Sequence, residues 1–228
     1  MNFRQIRIAI YATYLTNKYG FMCKWAANDE EIRKIRDIYA HKLLGHIGVK
    51  IVVDNPEKAP KEKCVLLCNH KSVIDPLVID ISVENTPAYG MWIAKKELYN
   101  SFFFGVFVRN AGTILLDRES SETSGFFKDV KESVQMGRSI FIFPEGTRNK
   151  TDKPLTEFKD GAKIIAIKNR LPIIPVYIKT NANDALMKAI KTKGEPREVH
   201  VVFGDPIDPK DKSMSLEENY RKQFDIKG

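Results

Sequence analysis

The chain has 228 residues, 43% of them apolar and 29% charged, which excludes wholesale disorder and suits one large domain or one domain with a short appendage. Its 37 Lys and Arg against 29 Asp and Glu leave a charge of +8, favouring polyanionic partners such as lipid head groups, nucleic acid or phosphorylated cofactors without choosing among them. Cys23, Cys64 and Cys68 are odd in number and have no second ligand pair nearby, so they read as buried thiols in a reducing compartment rather than a metal or redox site.

Residues 2–25 read as a helix with Phe3, Ile6, Ile10 and Tyr14 on one stripe beside Arg4, Arg7 and Lys18. No acidic residue precedes Asp29, and this mixture of aromatic and cationic residues suits a helix lying in a membrane interface. No run approaches the roughly 20 apolar residues of a spanning helix, and no signal-peptide core is present. The expected location is therefore the cytoplasmic face of a membrane, with peripheral or monotopic attachment through the amino-terminal helices. Asn28 followed by Asp29, Glu30 and Glu31 starts a second helix that runs to about Leu44, with Gly45 or Gly48 as its stop.

Beyond it, short apolar runs at Lys50–Val53, Cys64–Cys68, Met91–Ala94, Thr113–Leu116, Ser139–Phe143, Pro172–Ile178 and Val199–Phe203 read as strands. Helical patterns fall near 76–83, 96–108, 121–136 and 160–169. This alternation predicts an α/β fold: a single domain with a mostly parallel or mixed sheet flanked by helices, plus an N-terminal helical, membrane-contacting appendage. The expected division is residues 1–45 for the appendage and 46–228 for a catalytic domain. Ligands in such sheets gather at the carboxyl ends of strands.

The strand Cys64–Cys68 runs straight into Asn69 and His70, and Asp75-Pro76 forms a helix start five residues after the histidine. A carboxylate on one imidazole nitrogen fixes the tautomer and leaves the other nitrogen to accept a proton. Such a pair is a serine-protease triad without its serine, and the missing nucleophile is then the substrate's own hydroxyl. Ser72 is a rival nucleophile, but it lies too near His70 along the loop, and no Gly-x-Ser-x-Gly elbow occurs.

The layout recurs downstream. Phe143-Pro144-Glu145-Gly146-Thr147-Arg148 ends a buried strand, with Arg148 suited to bidentate phosphate recognition and Glu145 placed to orient Arg148 or contact a substrate hydroxyl. Gly112–Arg118 ends another strand in a cation, and Lys95-Lys96 follows a third. Four strand ends thus bring His, Lys, Arg and Arg to what reads as one rim, a phosphate site beside a general base. Phe102-Phe103-Phe104 reads as core, as the floor of an acyl groove, or as a segment that dips into lipid. His41 and His46 lack metal-site spacing, so no metal is expected.

These blocks resemble the glycerolipid acyltransferase family that includes the 1-acylglycerol-3-phosphate (lysophosphatidic acid) acyltransferases. Asn69, His70 and Asp75 match its first motif; Gly112, Ile114 and Arg118 its second; Phe143 to Arg148 its third; and Leu171–Val176 its apolar, proline-containing fourth. Phe158-Lys159-Asp160-Gly161-Ala162 is similar to a further family stretch, while Asn149 stands where many members have Ser. The resemblance implies His70 as base and Asp75 as its partner. It also implies Arg118, Arg148 and Glu145 in binding the acylglycerol phosphate, and Lys95 or Lys96 on the phosphate. Asn69, Gly112, Gly146 and Thr147 complete the expected substrate-binding set.

The implied reaction moves a fatty acyl group from acyl-CoA or acyl carrier protein, as donor substrate and not cofactor, to the sn-2 hydroxyl of 1-acylglycerol 3-phosphate. Other readings are a glycerol 3-phosphate or other lysolipid acceptor, or a basic lipid-binding protein without activity. Nucleic acid is not an expected partner, since no reader motif is present.

Overall fold

The computed structural model describes residues 3–117 and 123–227. Seven strands form one sheet: β1 (Val49–Val53), β2 (Val65–Cys68), β3 (Gly90–Lys95), β4 (Thr113–Leu116), β5 (Ser139–Ile142), β6 (Ile173–Ile178) and β7 (Arg197–Phe203). Their order is β1-β7-β6-β2-β5-β3-β4, parallel throughout except where β6 meets β7. Every strand expected from the sequence is present. β2 and β5 lie at the centre, buried at every position, which is why Val-Leu-Leu-Cys and Ser-Ile-Phe-Ile show no polar alternation.

Helices α1 (Phe3–Lys24), α2 (Asp29–Ile47), α3 (Asp75–Ser82), α4 (Gly105–Asn110), α5 (Ser124–Gln135), α6 (Gly161–Asn169), α7 (Ala182–Lys191) and α8 (Leu216–Gln223) surround the sheet. Apolar residues of α1, α2, α3 and α7 share one face with alternate strand residues such as Leu66, Trp92 and Phe141. Residues of α5, α6 and α8 cover the other face with Val65, Leu67, Ile140 and Ile142.

Asn28 caps α2 by accepting the Glu31 N–H at 3.0 Å, and Gly48, at φ +93°, ends it, so Gly45 stays inside the helix. The helix expected over 96–108 is broken instead into a 3-10 turn, Lys96–Asn100, and α4. Ser101 accepts the Phe104 N–H at 3.3 Å between them, and Phe102 and Phe103 pack edge to face at the surface. The helix expected over 121–136 is α5, which starts at Ser124 with Thr123 in its N-cap position; positions 121 and 122 of that expectation lie outside the described residues.

Helices α7 and α8 were not expected. Asn181 caps α7 through the N–H groups of Asn183 and Asp184, and Ser215 with Glu218 forms a reciprocal capping box on α8. Both capping signals stand in the sequence, but no helix was expected in either segment.

α1 buries Ile8, Leu15, Tyr19 and Cys23 against the domain and leaves Phe3, Ile6, Ile10 and Tyr14 on the outside. Gly20 meets the backbone of α4 so closely that an added Cβ would lie 2.7 Å from the Phe107 nitrogen. No described helix is long and apolar enough to cross a membrane.

Candidate active site

Because β2, β5, β3 and β4 are parallel neighbours, their carboxyl ends emerge on one edge of the sheet. His70 follows β2, Lys95 ends β3, and the Phe143–Arg148 turn follows β5. The Asn149 N–H donates to the His70 carbonyl at 2.6 Å, so the β5 turn closes on the β2 loop and Arg148 stands one residue from that contact.

The His70 imidazole Nδ1 lies 2.8 Å from Asp75 Oδ2. The same oxygen accepts the N–H groups of Lys71 at 2.7 Å and Ser72 at 2.6 Å. Asp75 is the first residue of α3 and not its cap: its carboxylate turns back into the loop, with only 1% of its side chain exposed. An ionised carboxylate can only accept, so Nδ1 carries the proton and Nε2 keeps a free lone pair. The ring is 16% exposed, which leaves that lone pair within reach of a ligand. One face of the imidazole stacks on Phe143, with centroids 3.9 Å apart and planes 11° apart.

Arg148 is exposed and has no hydrogen bond or ion pair among the described residues. Gly146 sits at φ +70°, where a side chain would be strained, and its N–H closes the turn onto the Phe143 carbonyl at 2.9 Å. Thr147 is exposed beside it. The site thus joins an oriented imidazole with an open nitrogen to an unpaired guanidinium, on a sheet edge where ligands of parallel sheets gather.

A family model described as Acyltransferase matches residues 50–179, which span both loops. The chain belongs to the acyltransferase family. It is 31% identical over 162 residues to a 1-acyl-sn-glycerol-3-phosphate acyltransferase of Bacillus subtilis, covering 70% of this chain and 74% of that one. To the Helicobacter pylori enzyme of that name it is 38% identical over 115 residues, half of this chain and 47% of the relative. The match to a Mycoplasma pneumoniae relative, 29% identical over 170 residues, spans 71% of this chain and 63% of that protein. The crystal structure of the 1-acyl-sn-glycerophosphate (LPA) acyltransferase PlsC from Thermotoga maritima superposes over 98% of this chain and 94% of its own. The TM-score is 0.69 at 25% identity.

Several residues expected to touch substrate in this family member have structural bonds of their own. Glu145 is 4% exposed: Oε1 accepts the His70 N–H at 2.7 Å, and Oε2 accepts the Thr156 N–H and hydroxyl at 2.8 and 2.6 Å. Both oxygens are taken, so Glu145 does not orient Arg148 and instead ties the two loops together. Asn69 is buried, pairing with the Ile178 N–H and carbonyl at 2.8 and 3.2 Å and fixing the end of β2 to β6. Gly112 precedes β4, so it lies at the other end of the sheet, roughly 13 Å from the rim at ~3.3 Å per residue. Its φ of +84° and the nearby Tyr89, Met91 and Arg36 side chains explain the glycine by backbone shape and space.

Lys96 is paired with Asp117 at 2.9 Å, whose hydrogen bond raises the lysine pKa. Lys95 is half-buried and without an ion-pair partner among the described residues. Arg118 lies outside the described residues. Ser72 is fully buried, which removes it as a nucleophile. Cys68, beneath the site, has its thiol pKa pushed well up by burial, with the Asp75 carboxylate acting in the same direction, and so stays neutral. Asn149 is buried, with its amide donating to the Lys153 carbonyl at 2.9 Å. Asn149-Lys150-Thr151 fits a glycosylation sequon, but with that amide buried a sugar cannot be attached without undoing the turn.

Proximity-based reading missed Phe143 as a ring support and Tyr220, whose phenol donates to the Val176 carbonyl at 2.6 Å behind Asn69. Phe143 was visible as a motif residue. Tyr220 gave no signal, because it reaches the site only through the fold.

Proposed function

We propose that the chain transfers a fatty acyl group from a thioester of CoA or acyl carrier protein to the sn-2 hydroxyl of 1-acylglycerol 3-phosphate, forming phosphatidic acid. The observation that carries this reading is the Asp75-bound imidazole with its open Nε2 beside an unpaired Arg148 on the same rim. The names of the Bacillus subtilis and Helicobacter pylori relatives support the acceptor.

The acceptor's phosphate docks on Arg148, with Lys95 as the nearer-to-free of the two lysines, and its hydroxyl meets His70 Nε2. The imidazole takes the hydroxyl proton as the oxygen attacks the thioester carbonyl carbon. The tetrahedral intermediate collapses, the carbon–sulfur bond breaks, and the departing thiolate takes the proton back from the imidazolium. The ester and the free thiol leave, with no acyl-enzyme on the path.

A membrane surface as partner is supported by the outer face of α1 and by Trp25 just past its end. Phe3, Ile10, Tyr14 and Trp25 are 76, 65, 57 and 79% exposed, with Arg7, Lys18 and Lys24 lying over the rings of Phe3, Tyr14 and Trp25. Phe102, 81% exposed, projects next to α4, on which α1 packs. Aromatic rings alternating with cations suit an anionic lipid interface, where the acceptor itself resides. Deleting α1 would bare Ile8, Leu15 and Tyr19, so point variants are the cleaner test. Ile10→Ser with Tyr14→Ser is expected to weaken cosedimentation with anionic vesicles at least about tenfold, from the lost apolar burial. Unchanged sedimentation would remove the interfacial role.

The reaction is tested with labelled acyl-CoA and acyl carrier protein against 1-acylglycerol 3-phosphate, glycerol 3-phosphate and a phosphate-free monoacylglycerol. Arg148→Ala is expected to raise KM for the phosphate-bearing acceptors by about 10–100-fold, the worth of a charged hydrogen-bond pair, and to leave the phosphate-free acceptor unchanged. Equal use of all three acceptors by the unmodified protein would overturn the phosphate-site assignment.

A further inference from the structure

A continuous run of side chains links α2 to the His70 ring. Arg36 on α2 and Asp80 on α3 form an ion pair, Nη2 to Oδ1 at 2.5 Å and Nε to Oδ2 at 3.2 Å, with side chains 3 and 5% exposed. Arg36 Nη1 also donates to the Gly90 carbonyl at 2.7 Å, at the start of β3. Asp80 Oδ1 accepts a second bond, from the Trp92 indole N–H at 3.1 Å. Trp92 in turn stacks on Phe143, centroids 4.8 Å apart and planes at 19°, and Phe143 stacks on His70. Phe141 meets the Trp92 ring edge-on at 5.3 Å.

Desolvating two charges costs several kcal/mol, which their attraction in the interior only about offsets. A buried Arg–Asp pair is therefore weakly justified by stability, and position is the better account of it. A base needs its lone pair aimed within a narrow cone, and an imidazole held by one hydrogen bond at Nδ1 remains free to rock about that bond. Stacking on Phe143 removes that freedom only if Phe143 itself is backed. Helix α3 supplies both constraints, Asp75 in its first turn on the ring's edge and Asp80 further along on the indole behind the stack.

We infer that Trp92 is a positioning residue, which acts through Phe143 to set the plane of the His70 imidazole and is itself held by the Asp80–Arg36 pair. Through Arg36, helix α2 takes part in aiming the base. The inference rests on His70 serving as the base in the proposed reaction.

The test uses the full chain with Trp92→Leu and Trp92→Phe. Steady-state kinetics are read beside the NMR signals of the carbon-bound ring protons of His70, one of four histidines, assigned by loss in His70→Gln. Trp92→Leu is expected to lower kcat by about 10–100-fold with KM for both substrates within about twofold, since small misplacements of a reacting group carry penalties of that size. The His70 proton signals, held upfield by the stacked ring, should move downfield. Trp92→Phe keeps a ring in the stack but gives up the indole N–H bond to Asp80, so it should restore kcat and the upfield position in part, to a level between Trp92→Leu and the parent.

A Trp92→Leu protein with kcat within twofold and unmoved His70 signals, even if less stable to heat, would overturn the proposal. So would a loss carried wholly by KM, or a Trp92→Phe protein as impaired as Trp92→Leu. If Trp92→Leu does not fold by circular dichroism, Trp92→Met is read in its place. Activity surviving His70→Gln would instead refute the base assignment, and the NMR signals would still report whether Trp92 orders the ring.

Discussion

His70→Ala is expected to reduce kcat by about 10²–10⁴-fold, the usual worth of a positioned general base, with little change in the fold. The loop does not depend on the imidazole for its shape. The His70 N–H is held by Glu145, its carbonyl by Asn149, and Asp75 keeps the N–H groups of Lys71 and Ser72 when the ring is gone. The side chain touches the structure through Nδ1 and the Phe143 face, both at the mouth of the site. Release of free thiol from the acyl thioester in the presence of 1-acylglycerol 3-phosphate measures the loss. An alanine variant within about threefold of the parent would mean that another group removes the proton.

The largest effect on stability is expected from Arg36→Leu, a loss of about 3–5 kcal/mol. Asp80 would be left buried with the Trp92 indole as its remaining partner, and the Gly90 carbonyl would lose its donor. Total stability of a domain is about 5–15 kcal/mol, so this single change takes a large share. Urea denaturation monitored by tryptophan fluorescence and by circular dichroism reads it. Replacing both members, Arg36→Met with Asp80→Leu, is expected to recover much of the stability, because no charge then remains buried alone. Its kcat should stay depressed, since Trp92 still lacks its acceptor. A single variant destabilised by less than about 1 kcal/mol would show that water reaches Asp80 freely.

The pair could not be read from the chain. Arg36 and Asp80 are separated by 44 positions, and each sits in a segment where a charged residue passes for a solvated helix face. The expected pairing of Glu145 with Arg148 is not formed, for a related reason. Its neighbour Arg148 is the obvious partner along the sequence, yet the carboxylate turns inward to the His70 N–H and Thr156 because the β5 turn folds against the β2 loop. Gly112 was matched as a binding residue through its motif, yet it stands just before β4, at the end of the strand away from the rim, and motif membership says nothing about which end meets the ligand.

What the sequence determined by itself is local: the seven strands, the cap of α2 at Asn28, and the His70–Asp75 pair held within one loop. Hydrophobic period, capping chemistry and a five-residue loop all act over a few bonds, so their outcome is written where they stand. Strand order, the burial of Glu145 and Asn69, the split of α4 from the preceding turn, and the column from Arg36 to His70 were decided by the tertiary structure. The reason is that each depends on which surfaces exclude water together. That is a property of the whole sheet and its two helical layers, and a linear chain carries no record of it at any one residue.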